Sequence, residues 1–139
     1  MANNVYLVCW ESHDYFGIGV QIQNLAGDVY SASETLIQLD TGYSGELLIP
    51  ELIFESLQLD TWELPISLPT YGSTITGESF SFRQAPVKII IPKINKEYYA
   101  TAQTFNGCTR LLIGRAFLRH FKVILDWQGK QTCLMVPKT

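Results

Sequence analysis

The sequence carries few charges and has no surplus of either sign that would indicate a nucleic-acid or membrane partner. Charged residues make up 17% of its 139 residues, and 10 basic against 13 acidic side chains leave a formal charge of −3. A balance this mild, without a basic cluster, argues against strong attraction to nucleic acid or to an anionic membrane. No apolar run reaches the length needed to span a bilayer, and the apolar stretch 87–92 is interrupted by Lys88.

The sequence is also poor in cysteine and lacks a recognisable secretion signal. Its three cysteines, Cys9, Cys108 and Cys133, are widely spaced and form no Cys-x-x-Cys pair. We therefore expect reduced, buried thiols rather than a disulfide framework, with a single bridge left as the alternative. Residues 1–5 lack the basic start and apolar stretch of a secretion signal. Together these features predict a cytoplasmic protein.

The composition is that of one globular domain spanning residues 1–139. Hydrophobic residues make up 47% of the chain, and a chain of this length buries roughly two-thirds of its unfolded surface. Alternating and β-branched patterns predict a mostly-β domain with one or two short helices. The predicted strands are 5–10, 16–23, 35–39, 64–68, 78–82, 87–91, 98–105, 109–113, 122–127 and 132–136, and the predicted helices are 49–57 and 115–121. Asn106-Gly107 predicts a hairpin between two of these strands.

One stretch differs from an ordinary strand end, because the apolar run 36–39 stops at Asp40, Thr41 and Gly42. A strand that buries a carboxylate at its end needs a reason to hold a charge there. Gly42 allows a sharp turn and a close backbone approach, and the Thr41 hydroxyl can bond a neighbouring backbone group. A second stretch repeats the style, with the apolar run 111–113, then Gly114, then a helix-like run.

The two stretches together resemble the retropepsin-like aspartic peptidases, in their bacterial-type single-domain form. In that family a Leu-Asp-Thr-Gly loop carries the catalytic aspartate, and an apolar-apolar-Gly segment is threaded beside it before a short helix. Here Asp40-Thr41-Gly42 matches the loop and 112–115 matches the second segment. The resemblance covers residues 36–127. It implies an all-β fold, a closed or partly open retropepsin-like acid-protease barrel with one or two short helices and a flap hairpin.

The resemblance implies an aspartic endopeptidase with Asp40 as its catalytic residue, supported by Thr41, Gly42, Gly114 and Arg115. The chain has one Asp-Thr-Gly, so a working pair of carboxylates requires two copies of Asp40 in a homodimer. In the family, the threonine hydroxyls interlock across the two-fold axis, and a water between the carboxylates attacks the peptide bond. The implied partners are therefore a second copy of the chain and a peptide or protein substrate.

Two other aspartates do not fit the catalytic role. Asp60 precedes threonine but lacks the glycine, and we interpret it as a surface turn or helix cap. Asp126 follows the helix-like run and is interpreted as structural.

The resemblance also implies which residues contact the substrate. The hairpin around Tyr71-Gly72-Ser73 is expected to act as a glycine-centred flap over an extended peptide, and Ser44 to line the cleft. Ser44 stands where retroviral members carry an acidic partner for the arginine that is Arg115 here, and Glu46 is a possible substitute. Tyr43 replaces a small residue and is expected to narrow or reshape the cleft.

No metal and no organic cofactor is implied. His13 lies beside Glu11 and Asp14, but the spacing fits no metal cage and predicts a solvated loop. Two alternatives remain. The first is a catalytically weak or inactive module that keeps the fold for peptide binding or dimerisation. The second is an unrelated small β-barrel, which would be a monomer with Asp40 exposed.

Overall fold

The computed structural model describes residues 4–65, 70–73 and 79–138. In these residues the chain forms ten strands and two short α-helices. The strands are β1 (Val5–Glu11), β2 (Gly17–Gln23), β3 (Thr35–Leu39), β4 (Leu47–Leu48), β5 (Thr70–Ser73), β6 (Ser79–Ile91), β7 (Lys96–Thr104), β8 (Leu112–Ile113), β9 (Lys122–Asp126) and β10 (Gln131–Pro137). The helices are α1 (Glu51–Ser56) and α2 (Arg115–Leu118), and single 3-10 turns lie at Leu59–Trp62 and Pro92–Ile94.

Six of the strands close into a barrel around the core. The order runs β2-β3-β8-β4-β7-β6 and returns to β2, because β2 pairs with both β3 and β6. Alternate residues of a strand face the same side, and in β6 one such set is completely buried in the barrel: Ala85, Val87, Ile89 and Ile91. The outer part of β6 leaves the barrel and forms a hairpin with β5.

The two ends of the chain form a separate three-stranded sheet in the order β1-β10-β9. Its register places Cys9 directly opposite Cys133, and the two are joined by a disulfide. The prediction of three reduced thiols is therefore wrong for this pair, although Cys108 is free and buried as expected. The predicted cytoplasmic location rested partly on reduced thiols, and the bond removes that part of its basis because disulfides persist chiefly in oxidising compartments.

The predicted hairpin at Asn106-Gly107 is wrong in its strand pairing. A turn does form there, since the Cys108 N–H donates to the Phe105 carbonyl at 2.9 Å and Gly107 has a φ of +83°. The chain then leaves β7, and β8 pairs in parallel with β3 and antiparallel with β4. A local turn signal does not show with which strand the next segment pairs. In this sheet, β4 lies between β7 and β8.

Most of the other predicted elements are present with small shifts. Helix α1 begins at Glu51 rather than at Pro50, which occupies the N-cap position. The predicted strands 78–82 and 87–91 are parts of the single strand β6. Residues 71–73 lie within β5 and not at a hairpin tip. Residues 74–77 and most of the predicted strand 64–68 lie outside the described residues. Among the helices that are described, none has the length and apolar character to cross a membrane.

Candidate active site

The two sequence motifs meet at one end of the barrel. Asp40 directly follows β3, which pairs with β8, and the Asp40 N–H donates to the Ile113 carbonyl at 2.9 Å. Residues 40–46, here called the site loop, then fold back over the start of α2. Three more backbone hydrogen bonds join the loop to this segment: Gly114 N–H to Glu46 at 3.0 Å, Arg115 N–H to Tyr43 at 2.9 Å and Ala116 N–H to Gly45 at 3.2 Å. The loop is thus held by backbone bonds.

The Asp40 side chain is partly exposed and is oriented by its own turn. The Gly42 N–H donates to Oδ1 of Asp40 at 2.8 Å, and the Tyr43 N–H donates to the Asp40 carbonyl at 3.1 Å. Within residues 4–65, 70–73 and 79–138, no hydrogen bond reaches Oδ2 of Asp40. The carboxylate therefore has one oxygen fixed by the protein and one available to a proton, a water or a second carboxylate.

Gly114 is required by the close approach of two backbone segments. A Cβ at Gly114 would lie 2.6 Å from the Tyr43 carbonyl oxygen, 2.5 Å from the Tyr43 ring and closer still to the Gly45 carbonyl oxygen. Its φ of −104° is ordinary, so the requirement is space and not conformation. Gly42 is less crowded, because a Cβ there would meet Oδ1 of Asp40 at 3.1 Å. Gly114 thus allows the site loop to pack closely against the start of α2, and the role of both glycines in supporting Asp40 stays a prediction.

The side chain of Tyr43, a residue of the site loop, points into the protein. Its ring packs against the cluster of Leu48, Cys108 and Leu112, and its hydroxyl donates to Oε1 of Gln103. The Gln103 side chain, which is 7% exposed, in turn donates to Gln84 at 3.2 Å. Burial is the main cause that raises the pKa of Tyr43, and the nearby Glu46 adds to it, so the hydroxyl stays protonated and remains a donor.

This hydrogen-bond chain was missed in the sequence. Tyr43 and Gln103 are 60 positions apart, and no local sequence signal links them. The chain ties the site loop to β7 and β6. Tyr43 therefore helps to fix the conformation of the site loop.

The predicted partner of Arg115 is engaged elsewhere. Oε1 of Glu46 accepts the Thr101 N–H at 3.0 Å, so it does not serve as the substitute partner that the sequence suggested. Arg115 is exposed, and it forms no ion pair with any residue that the structure describes. Thr41 and Ser44 are exposed beside it. Thr41 and Arg115 both line an open cavity of about 570 Å³ next to Asp40.

The two other aspartates considered in the sequence, Asp60 and Asp126, fit structural roles. Asp60 is exposed in the 3-10 turn Leu59–Trp62. Asp126 accepts the Gly129 N–H at 2.9 Å and the Gln131 amide at 3.2 Å, and these bonds lower the pKa of Asp126. His13 is exposed in its loop. In the described part of the chain, no group of three or more His, Cys, Asp or Glu side chains could hold a metal ion.

Comparison with known proteins identifies the fold. No protein-family model matches the chain. An uncharacterized protein from Archaeoglobus fulgidus is 29% identical over 99 residues, which cover 69% of this chain and 73% of that protein. The solved structure of EIAV protease complexed with the inhibitor HBY-793 matches with a TM-score of 0.53 at 15% identity, over 81% of this chain and 93% of that chain. The protein therefore has a retropepsin-like fold, as the paired motifs predicted.

Proposed function

We propose that this protein is an aspartic endopeptidase in which two chains form a homodimer and each contributes one Asp40. Residues 1–139 act as one peptidase domain in this proposal. The observation that carries it is the hydrogen bonding of the Asp40 carboxylate, which lies at the end of a barrel strand. One oxygen accepts the Gly42 N–H, and the other accepts no hydrogen bond from the described residues. The match to EIAV protease supports the reaction class, because that protein is a protease captured with an inhibitor.

The pair of carboxylates would share one proton. Two like charges a few ångströms apart cannot both ionise easily, as is established for aspartic proteases, and the proton belongs to the pair. The ionised member takes a proton from a water, whose oxygen attacks the carbonyl carbon of the peptide bond. The protonated member donates its proton to the carbonyl oxygen. When the tetrahedral intermediate collapses, the C–N bond breaks, the amine leaves with a proton from the pair, and one hydroxyl of the intermediate returns a proton to the pair as the carboxylic acid forms.

The substrate would lie as an extended strand under the β5–β6 hairpin. Backbone hydrogen bonds would supply most of the affinity, and Ser44 and residues 71–73 would contact the peptide. Arg115, which is exposed at the rim of the cavity, supports the loop through its backbone N–H bond to Tyr43. The proposal assigns no metal and no cofactor to the reaction.

The decisive variant is Asp40→Asn, because it removes the ionisable group and keeps the shape of the side chain. We expect cleavage of an unfolded protein substrate at mildly acidic pH to fall at least about a thousandfold, a typical scale for loss of a general acid or base. Dimerisation, measured by analytical ultracentrifugation, should survive. Asp60→Asn is the matched control, since Asp60 is an exposed aspartate outside the site, and it should cleave like the wild type.

Two results would overturn the proposal. Turnover by Asp40→Asn at the wild-type rate would exclude the carboxylate mechanism. Cleavage by a species that stays monomeric at all concentrations would exclude a shared site. A wild-type dimer that binds extended peptides without cutting them would instead favour the binding or dimerisation module.

A further inference from the structure

A chain of three polar side chains joins the site loop to the base of the β5–β6 hairpin. The Tyr43 hydroxyl donates to Oε1 of Gln103, and the Gln103 amide donates to Oε1 of Gln84 at 3.2 Å. Gln103 and Gln84 lie directly opposite each other in the pairing of β7 with β6. Gln84 comes two positions after Phe82, the last residue of β6 that pairs with β5. The chain therefore links the loop that carries Asp40 to the hairpin that would cover the substrate.

The end of this chain at the hairpin is fixed by further contacts. The Leu64 N–H, in the segment that leads toward β5, donates to the Gln84 carbonyl at 2.8 Å. Next to it, Arg83 bonds the Glu63 carboxylate in two places, from Nη2 to Oε1 at 2.8 Å and from Nε to Oε2 at 3.2 Å. The Arg83 guanidinium also lies 4.8 Å from the centre of the Phe54 ring. Paired bonds of this kind fix orientation as well as distance, so Gln84 belongs to an ordered part of the molecule.

The other end of the chain is one of two places where side chains of the site loop bond β7. Oε1 of Glu46 accepts the Thr101 N–H at 3.0 Å, and that contact ends at the backbone of β7. The Tyr43 bond instead continues through Gln103 to β6. It is therefore the contact through which the position of the site loop depends on the base of the hairpin.

Gly45 leaves the space that the bond between Tyr43 and Gln103 needs. A Cβ at Gly45 would lie 2.5 Å from Cζ of Tyr43, 2.7 Å from Oε1 of Gln103 and closer still to the Tyr43 hydroxyl oxygen. The φ angle of Gly45 is not positive, so its backbone conformation does not require glycine. The bare position at Gly45 and the hydroxyl of Tyr43 are thus two parts of one arrangement.

We propose that Tyr43 is a positioning residue for the Asp40 pair, and that its bond to Gln103 sets the place of the acid relative to the hairpin that covers the substrate. This inference rests on the proposed function. The Tyr43 side chain points into the protein, so it acts through the loop and does not touch the reacting atoms. Alignment matters because a misplacement of about 1 Å can cost about a hundredfold in rate.

Tyr43→Phe tests this role by steady-state kinetics, because it removes the hydroxyl and keeps the ring. We expect kcat to fall about tenfold and KM to stay within about twofold of the wild type, since the acid is displaced while the peptide keeps its contacts with the hairpin. Both proteins are compared at a temperature where circular dichroism shows them fully folded, so a loss of stability alone leaves kcat unchanged. Tyr99→Phe, at a position 71% exposed on β7, is the control and should keep the wild-type kcat.

Gly45→Ala provides a second variant in which the Tyr43 hydroxyl is retained. The new methyl group should displace that hydroxyl from Gln103, and we expect a similar fall in kcat. The double variant Tyr43→Phe/Gly45→Ala should lose less than the product of the two single losses, because both changes break the same bond. Independent losses that multiply in full would contradict the arrangement.

Gln103→Glu supplies a readout that a loss of packing would not give. A protonated glutamic acid can accept from Tyr43 and donate to Gln84 as the amide does, whereas an ionised carboxylate only accepts. Because position 103 is 7% exposed, burial favours the neutral form. The kcat of this variant should be close to that of the wild type in acid and fall below it as the carboxyl ionises. Gln103→Leu should be slow at every pH, and Gln58→Glu, at an exposed position, should follow the wild type.

The outcomes separate this inference from the proposed function. A wild type that cleaves, combined with Tyr43→Phe of unchanged kcat, would refute the positioning role and leave the Asp40 mechanism standing. A raised KM at unchanged kcat would assign Tyr43 to substrate binding and overturn the inference. A wild type that never cleaves would refute the proposed function itself. If Tyr43→Phe fails to fold, recovery of Gln103→Glu in acid supports the role, and equal rates of Gln103→Glu and Gln103→Leu at every pH refute it.

Discussion

The dipeptide Leu-Asp occurs where β3 ends, with Asp40 just after the strand, and again as the last two residues of β9, and the two aspartates have different surroundings. Asp126, at the end of β9, uses both carboxylate oxygens within its own turn, on the Gly129 N–H and the Gln131 amide. Asp40, at the end of β3, accepts the Gly42 N–H through Oδ1. Its other oxygen has no hydrogen-bond partner in the described part of the chain. The same Leu-Asp dipeptide thus gives two different carboxylates. Asp126 has both oxygens bonded, whereas Asp40 has one oxygen available.

The difference comes from what packs around each turn. The terminal hairpin is local, because β9 and β10 are joined by a short turn, and Asp126 accepts bonds from Gly129 in that turn and from Gln131 at the start of β10. The site loop is held by β8, by the start of α2 and by the chain of Tyr43, Gln103 and Gln84. Among the described residues, the Asp40 carboxylate then accepts only the Gly42 N–H. The contrast between the two aspartates can therefore be tested by substituting residues that hold the site loop.

The largest effect is expected for Gly114→Val. The new side chain would overlap the carbonyl oxygens of Tyr43 and Gly45, which are backbone atoms that cannot move without opening the site loop. We expect a loss of at least about 3 kcal/mol in the free energy of unfolding, measured by urea denaturation. Gly129→Ala is the counterpart in the terminal hairpin, where the nearest atom is the Asp126 carboxylate, a side chain that can turn aside. Equal losses in both variants would contradict the comparison.

The next effect concerns the disulfide of the terminal sheet. The double variant Cys9→Ser/Cys133→Ser should lose about 2 to 4 kcal/mol, because the bond closes a loop with a sequence separation of 124. A reductant should lower the melting temperature of the wild type to that of the variant and leave the variant unchanged. A wild type insensitive to reductant would show that the bond contributes nothing to stability.

Tyr43→Phe should have a smaller effect on the frame of the site. It removes the hydroxyl that donates to the buried Gln103 side chain, and an unsatisfied buried acceptor costs about 1 to 3 kcal/mol. Thermal or urea unfolding would measure the loss. Tyr99→Phe is the matched control, since Tyr99 is 71% exposed, and its stability should match the wild type.

The smallest effect is expected for Asp126→Asn, and it should depend on pH. Hydrogen bonds from Gly129 and then Gln131 lower the pKa of Asp126 in the folded protein below its usual value. A lowered pKa stabilises the fold above the unfolded value, and that contribution disappears as the pH falls through the folded value. The difference in melting temperature between wild type and variant should therefore be present at neutral pH and vanish in acid. A difference that grows toward acid would reverse the assignment.

The sequence was informative wherever a signal is local. The apolar run into Asp40-Thr41-Gly42 and the run into Gly114 predicted where the chain turns, and the structure joins the two by backbone bonds. The Cys9–Cys133 pair, the partner of Glu46 and the path of β8 were not predicted. Each depends on which strand lies beside which, and that arrangement is decided by packing of the whole barrel. The contact of residues 71–73 with a substrate stays a prediction, and these residues lie in β5 of the β5–β6 hairpin.

The sequence by itself determined that one acid follows an apolar strand, and that glycines allow the backbone to pass close by. These are consequences of side-chain size, charge and period, which are readable along the chain. The tertiary structure alone decided that Oδ2 of Asp40 has no partner among the described residues, while both carboxylate oxygens of Asp126 are bonded. Hydrogen-bond partners and unpaired edges depend on contacts between residues far apart in sequence, and these contacts exist only once the strands have assembled.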